Sequence, residues 1–594
     1  MIEQKTLPAL LKTQATEKPQ AVAQWIHVSE ASWLAITFHE FYQEVVDLGW
    51  KLIALGINKG DAVAIMAKTG RQWELLHQAV LALGAIVVGI DPGEKSEQLQ
   101  EIVTVAGIQV LVTDSLERID KFSEDIKTQF KVIVTFDERS VDSDSMESIF
   151  IDIPKRRTGE LKNPPLPDVV LADDIATIIF TSGTTGKPKG ITYRHDQMLA
   201  AIYAILETYP ELSQSPCRLV CWMPLSSLFQ RMLNLWAIAC GAEVYFVEQP
   251  QKIIEYLPQI NPHIFFAVPR FYEKLYQDFE SKLGRQSKPV VKLLQYCLAA
   301  GESQSLSGKL ARKINYYLFK PFRAVLGSNI RYMVSGSAPM RLRLLKRFDA
   351  MGLLILEAYG LSENIVPVAA NRPTDYRFGF VGKPLKGNTI MLAEDGELLV
   401  KGLGVFSGYL ADRQPDHSLS ADGYLASGDY AEIDSQGFIR LTGRKSEVFK
   451  TSTGRKIAPV GIEALLQHVA TVDHAVVFGE SKKCLIGLVT VGSSRPVEQT
   501  ETIRYAQQLA TDLAQCVSDL PEYQRPAAVI LSFKSLSVEQ QELTANLKLR
   551  RRVIQQRYGL WIDELYKLLD EPESDIHRQP LWVDREIMLL KIAD

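Results

Sequence analysis

Thr181-Ser182-Gly183-Thr184-Thr185-Gly186-Lys187-Pro188-Lys189-Gly190 follows directly on the apolar run Ile175 to Phe180. The run reads as a buried strand and the decapeptide as the loop behind it. Such a loop suits polyphosphate. Glycine lets the backbone approach oxygens closely, backbone N–H and hydroxyl groups donate, and lysine neutralises charge. It is not a Walker loop, which needs four residues between its glycines and a Ser or Thr after the lysine to hold Mg²⁺. Here two residues separate Gly183 from Gly186, and Pro188 follows Lys187. The nucleotide chemistry should therefore differ from that of kinases and GTPases.

Around this loop lie 594 residues, enough for several domains. Hydrophobic content of 46% and charged content of 23% are those of a soluble globular chain. The net charge of −4, without a long single-sign block, gives no reason to expect a nucleic-acid partner. Six cysteines lack metal or disulfide spacing. Cys217 and Cys221 read as core thiols rather than half a zinc site. Met1 to Pro19 holds no signal-like apolar segment, and the run Ala79 to Ile90 is too short to span a bilayer. The expected compartment is the cytoplasm, with peripheral contact at a membrane as an open option.

Helix and strand patterns alternate through the first part of the chain. Phe38 to Leu55 is helical in period and stops at Gly56, and Ala62 to Met66 is strand-like. Gln72 to Leu83 returns to helix, and Ala85 to Ile90 is a second strand after Gly84. This predicts an α/β fold of helix-covered, mostly parallel sheet. Residues 155–168 read as an exposed connector. From Gly387 to Gly408 short strands with Gly turns predict a small β subdomain. Residues 457–550 read as a compact α+β unit, with a helix from Gly461, strands around 475–478 and 485–491, and a helix from Thr500. The expected division is a large N-terminal domain of helix-covered mixed sheets over 1–443, a small mobile α+β C-terminal domain over 444–570, and an extension over 571–594 without an assigned role.

The decapeptide resembles, almost letter for letter, the phosphate loop of the adenylate-forming superfamily of acyl-CoA synthetases, peptide-synthetase adenylation domains and luciferases. Further strings follow in that group's order. Ser335-Gly336-Ser337-Ala338-Pro339 resembles the loop between adenine and acyl pocket. Tyr359-Gly360-Leu361-Ser362-Glu363 resembles its aromatic–Gly–x–Thr–Glu string, with Ser for Thr. Ser427-Gly428-Asp429 and Gly443-Arg444 resemble its Thr-Gly-Asp and following Arg. Asn546-Leu547-Lys548-Leu549-Arg550-Arg551 stands where most members carry Gly-Lys-x-x-Arg, with Leu547 for the Gly.

The resemblance implies roles. Thr181, Ser182, Gly183, Thr184, Thr185, Gly186 and Lys189 would hold the β- and γ-phosphates of ATP. Gly336, Ser337 and Ala338 would let substrate and purine lie against backbone. Tyr359 and Gly360 would take the adenine, Ser362 the α-phosphate, and Glu363, with Thr184, the Mg²⁺. Magnesium prefers one or two carboxylates plus phosphate oxygens. Asp429 would accept from both ribose hydroxyls, as an ionised carboxylate can, with Arg444 adding a contact. Lys548 would stabilise charge on the α-phosphate and the attacking carboxylate, the kind of term that often dominates catalysis. The catalytic set is then Lys548, Glu363 and Thr184. Lys445 and Ser446 would form a hinge.

Val268-Pro269-Arg270-Phe271-Tyr272-Glu273-Lys274 resembles a segment of the long-chain fatty acyl-CoA synthetase branch. So does Trp222 to Gln230, with Ser227 for a usual His and Gln230 for a usual Glu. The implied reaction converts a fatty acid to an acyl-adenylate and then passes the acyl group to the thiol of CoA, or to the phosphopantetheine arm of an acyl carrier protein. A chain that binds nucleotide but has lost catalysis is the third option, motivated by Ser227 and Arg455. Thr451 to Lys456 would be the thiol-acceptor loop. Around Gly454, Thr453 replaces a usual Gly and Arg455 a usual acid. The added charge suits a phosphorylated thiol and equally an ordinary solvated surface. Lys309 to Arg323 mixes five basic residues with Tyr316, Tyr317, Phe319 and Phe322. An amphipathic helix packed on the core is the preferred reading, and an interfacial, lipid-touching segment the other.

Overall fold

The computed structural model describes residues 4–29, 32–136, 148–153, 163–182, 188–210, 217–303, 305–410, 419–469, 471–492, 499–537, 539–543 and 549–592. The fold is α/β, with mixed sheets covered by helices. Its largest sheet has eight strands, in the order Tyr409–Leu410, Pro188–Arg194, Ile175–Ser182, Ile86–Gly89, Ala62–Met66, Val110–Thr113, Val132–Thr135, Ser148–Phe150. From Ile175–Ser182 to the far edge the pairing is parallel. At the other end Pro188–Arg194 and Tyr409–Leu410 are antiparallel additions. The central strands are apolar throughout because both faces are covered: every residue of Ala62–Met66 is buried.

Helices form where the periodicity placed them. Phe38–Ala54 begins at Thr37, whose side chain accepts from the Glu40 N–H while the Glu40 carboxylate accepts from the Thr37 N–H. The chain leaves this helix through Gly56 at φ +79. Arg71–Ala82 is followed by Gly84 at φ +69 and the strand Ile86–Gly89.

A second sheet runs Ile264–Ala267, Tyr332–Ser335, Ile355–Leu361, Asn364–Ala370, Lys383–Pro384. A third, antiparallel, comprises Asn388–Leu392, Glu397–Gly402, Leu425–Ile433 and Ile439–Arg444. It is the small β subdomain expected from the Gly turns. Cys217 and Cys221 are free and buried, and no metal-like cluster of His, Cys, Asp or Glu exists among the described residues.

Beyond Arg444 two hydrophobic clusters are built from residues 449–592 alone, one on each face of a five-stranded sheet. Its order is His474–Phe478, Leu485–Thr490, Pro526–Ser532, Ile587–Lys591, Leu581–Asp584. The last two strands come from the segment without an expected role. Ile587–Lys591 pairs antiparallel with Pro526–Ser532, and Met588, Leu589 and Leu590 are buried in the core.

Helix Leu306–Leu318 departs from the preferred expectation of a helix packed away on the core. Asn315 and Phe319 face inward, but Leu310, Ile314 and Tyr317 stand 62%, 57% and 76% exposed.

Candidate functional site

The two ends of the decapeptide lie on paired antiparallel strands, Ile175–Ser182 and Pro188–Arg194. Thr181 pairs with Lys189 and the Ser182 backbone with Pro188. A Walker loop feeds a helix, whereas this segment feeds the strand Pro188–Arg194. Gly183, Thr184, Thr185, Gly186 and Lys187 lie outside the described residues, as do the Ser182 side chain and Lys548.

Two constellations form among the expected site residues, the first tied to this strand pair through Lys189. The first is centred on Glu363. Leu361 pairs with Asn364, so Ser362 and Glu363 are the two-residue turn between strands Ile355–Leu361 and Asn364–Ala370. The Tyr409 hydroxyl donates to Glu363 Oε1 at 2.7 Å. The ammonium of Lys189 lies 4.3 Å from the centre of the Tyr409 ring, within cation–π range. Tyr409 also belongs to the edge strand that pairs with Pro188–Arg194. One tyrosine thus ties the carboxylate to the phosphate-loop lysine. The turn is held from behind as well. The Phe406 N–H donates to the Glu363 carbonyl at 2.9 Å, and the buried Tyr193 hydroxyl to the Ser362 carbonyl.

The second constellation is centred on Asp429, which is 3% exposed. It pairs in register with Arg444 across the Leu425–Ile433 and Ile439–Arg444 hairpin. Arg444 Nε lies 2.9 Å from Asp429 Oδ1, and the Tyr359 hydroxyl donates to Oδ2. Burial first, and then the Asp429 charge, push the Tyr359 pKa well above the ordinary phenol range. The hydroxyl therefore remains a donor. Gly428 at φ +72 makes the turn that presents Asp429.

Gly336 is buried, while Ser337 and Ala338 are exposed beside it. Ser337 takes the left-handed conformation at φ 72, uncommon for a residue with a side chain. The same loop is held by Glu357, whose carboxylate accepts from the Met340 and Gly379 N–H groups at 3.3 Å each. Burial pushes the Glu357 pKa up to about 7, with those two donors opposing it.

Lys445 Nζ binds Glu397 at 2.6 Å and Asp395 at 2.9 Å, which raises its pKa. Glu397 is 6% exposed and its other oxygen accepts from the Gly428 N–H at 2.8 Å. Ser446 follows in a short 3₁₀ turn over Lys445–Glu447. Gly454, at φ +77, sits in the tip between Phe449–Lys450 and Lys456–Ile457. Ser452 through Lys456 are exposed, and the Arg455 guanidinium lies over Tyr523 at 5.0 Å. Of the basic residues after Lys548, Arg550, Arg552 and Arg557 are exposed, whereas Arg551 turns inward. Arg551 binds both oxygens of buried Glu463 at 2.6 Å and reaches Glu447 at 3.4 Å.

At the departures from the expected pattern, Ser227 is exposed at the start of helix Leu228–Cys240 and makes no side-chain cap. Gln230 is buried: it accepts from the Trp222 and Met223 N–H groups and donates to Asn234, which donates to Glu74. An amide can do both, so Gln230 has a structural reason to stand there.

Tyr409 and Glu397 were not singled out from the sequence. Each acts on a partner tens of positions away, and a lone Tyr after Gly408 or Glu after Gly396 carries no local signal.

The AMP-binding enzyme family matches residues 11–410, and the AMP-binding enzyme C-terminal domain matches residues 447–570. The chain belongs to this family. It is similar to the long-chain-fatty-acid–CoA ligase FadD15 of Mycobacterium tuberculosis, 29% identical over 565 residues that cover 90% of this chain and 92% of that protein. It is also similar to the long-chain-fatty-acid–CoA ligase ACSBG2 of Homo sapiens, at 24% identity over 90% of this chain and 88% of that one. Among solved structures, the anthranilate CoA ligase AuaEII in complex with anthranoyl-AMP has the same fold. Its TM-score is 0.70 at 19% identity, covering 95% of this chain and 99% of that one.

Proposed function

We propose that this chain activates a long-chain fatty acid with ATP and transfers it to the thiol of CoA. The observation that supports this most is the tie of Glu363 to Lys189 through Tyr409, beside the Tyr359–Asp429–Arg444 group. A cation, a carboxylate and a buried acceptor of the kinds that phosphate, magnesium and ribose would need are thus held by neighbouring side chains.

The fatty-acid carboxylate oxygen attacks the α-phosphorus of ATP, and the bond to the bridging oxygen of pyrophosphate breaks. Lys189, with Thr181, Ser182, Gly183, Thr184, Thr185 and Gly186, holds the phosphates that leave. Asp429 and Arg444 fix the ribose, Tyr359 and Gly360 the adenine side, and Ser362 the α-phosphate. Gly336, Ser337 and Ala338 give a surface without bulk against which purine and acid lie. The site fits Mg²⁺ by its donor set: Glu363 Oε1 is taken by Tyr409, and Oε2 has no partner among the described residues. Held there with Thr184 and phosphate oxygens, the ion would neutralise charge on the departing pyrophosphate. Lys548 stabilises the charge that develops at the α-phosphate. In the second half the thiol loses its proton, its sulfur attacks the acyl carbonyl, and AMP leaves. Residues 1–443 form the adenylating domain. Residues 444–570, with the strands of 571–594, form the unit that turns about Lys445 and Ser446 and presents Gly454 and Arg455 to the thiol.

ATP–pyrophosphate exchange across a fatty-acid panel, followed by CoA-dependent AMP release, tests this. Exchange with long acids and AMP release on adding CoA are expected. Exchange with AMP release only on adding acyl carrier protein would move the acceptor to phosphopantetheine. No exchange with any acid would leave a nucleotide-binding relative without catalysis.

A further inference from the structure

We infer that the helical hairpin formed by Lys288–Glu302 and Leu306–Leu318 is a docking face for an anionic lipid surface. Eight of the nineteen large apolar side chains that stand exposed among the described residues fall between positions 290 and 318. On the first helix they are Val290, Leu293 and Tyr296, at 41%, 57% and 73% exposure. On the second, Leu310, Ile314 and Tyr317 recur at i, i+4 and i+7, so they form one stripe. An exposed apolar concentration of this kind marks an interaction surface.

Charge selects the partner. Residues 285–323 carry eight Lys and Arg against Glu302 alone, in a chain whose net charge is −4. The one acid is neutralised inward by Arg347. Two of the cations are also spent inside the fold. Arg312 donates to the Gly301 and Ser303 carbonyls and faces Asp349, and Arg323 stacks over Tyr316. Lys288, Lys292, Lys309, Lys313 and Lys320 are exposed around the apolar stripe, with no acidic partner among the described residues. Aliphatic and tyrosyl groups ringed by lysines suit a headgroup boundary. The rings are amphipathic, lysine stems lie along apolar surface, and ammonium groups reach lipid phosphates.

The hairpin is rigid enough to dock as a unit. Asn315 Nδ2 donates to the Cys297 carbonyl at 2.8 Å, joining the two helices, and Leu298 and Phe319 anchor them in the core beneath. No helix among the described residues is long and apolar enough to cross a membrane, so the contact lies on the surface. Such docking would place the chain where a long-chain acid is dissolved. Only that purpose rests on the fatty-acid reading, because lipid binding is measured without acid or nucleotide and can hold where the ligase reading fails.

The test is co-sedimentation of the full chain with vesicles of phosphatidylcholine alone and with about a third phosphatidylglycerol. Two variants are compared. One carries Lys292→Glu, Lys309→Glu, Lys313→Glu and Lys320→Glu; the other carries Leu310→Ser, Ile314→Ser and Tyr317→Ser. Binding to the anionic vesicles alone, weakened by salt and by about tenfold or more in each variant, is expected. All the replaced side chains are exposed, so melting should be unchanged; if one variant fails to fold, the other decides. Undiminished binding by the folded variants overturns the inference. So does a wild-type chain that ignores both vesicles, whether it instead self-associates through this stripe in sedimentation velocity or retains an acidic acyl carrier protein there.

Discussion

Glu363 and Arg455 both stand at the tips of β-hairpins, yet the two tips differ in how they are held. The Glu363 turn is fixed from three sides, by Tyr409 at its carboxylate, Phe406 at its carbonyl and Tyr193 at Ser362. Asp429 is similarly fixed by Arg444 and Tyr359. The tip at Thr451–Lys456 is closed by its own bonds, such as Gly454 N–H to the Thr451 carbonyl at 3.0 Å. Outside itself it meets Tyr523 and the Lys482 carbonyl, both from the same C-terminal unit. A phosphate reaction needs charges set before the substrate arrives, because preorganised groups need no reorganisation during the step. In the proposed reaction a thiol-acceptor loop need only arrive afterwards, which an exposed tip on a separate core would allow.

That contrast can be broken from either side. The largest effect is expected at the chemistry. Glu363→Ala and Lys548→Ala should each cut ATP–pyrophosphate exchange by about 100-fold or more, while Lys548→Ala still binds ATP by calorimetry. Full exchange in either variant removes that residue from the reaction. Next is the tie itself. Tyr409→Phe keeps the ring under Lys189 but removes one hydrogen bond to a carboxylate, so exchange should fall by about tenfold. The fall should appear in kcat more than in binding of the acid, and an unchanged kcat would reduce Tyr409 to packing.

At the other tip, Arg455→Glu should leave exchange intact and raise the KM for CoA several-fold, as a rim charge facing a phosphorylated partner does. Equal kinetics with CoA would assign Arg455 to the solvated surface. The smallest effect concerns stability. The Glu357 pKa is raised on folding to about 7, so its favourable neutral form is complete below the ordinary carboxylate range. That contribution is lost as pH rises through about 7. Melting of the wild type should therefore drop between about pH 5 and 8 relative to Glu357→Gln. Parallel melting curves across that window would contradict the assignment.

Much of the N-terminal architecture was legible because period and punctuation agree there. Phe38–Ala54 has an apolar face, a Thr-x-x-Glu start and a Gly stop, and each central strand is apolar on both faces. The Asp429–Arg444 relation was implied by the family resemblance, and the hairpin realises it as a register pair. Helix Leu306–Leu318 was half legible. Its period predicts a helix, but the same stripe can face a core or a bilayer, and period alone does not say which. The strands Leu581–Asp584 and Ile587–Lys591 were not legible as part of the C-terminal sheet, because their partner lies in another segment of chain.

The sequence by itself determined the family, and pointed to its chemistry through a hydroxyl- and glycine-rich loop, an acid after Tyr-Gly-x-Ser, a Gly-Asp turn and a late lysine. These are local strings, and local strings carry the residue types that phosphate, magnesium and ribose require. Only the tertiary structure decided what holds them. Tyr409 reaches Glu363 across forty-six positions, Glu397 joins Gly428 to Lys445, and Ile587–Lys591 completes a sheet begun a hundred residues earlier. Such contacts depend on which elements the packing makes neighbours, and no local pattern encodes a neighbour that only packing supplies.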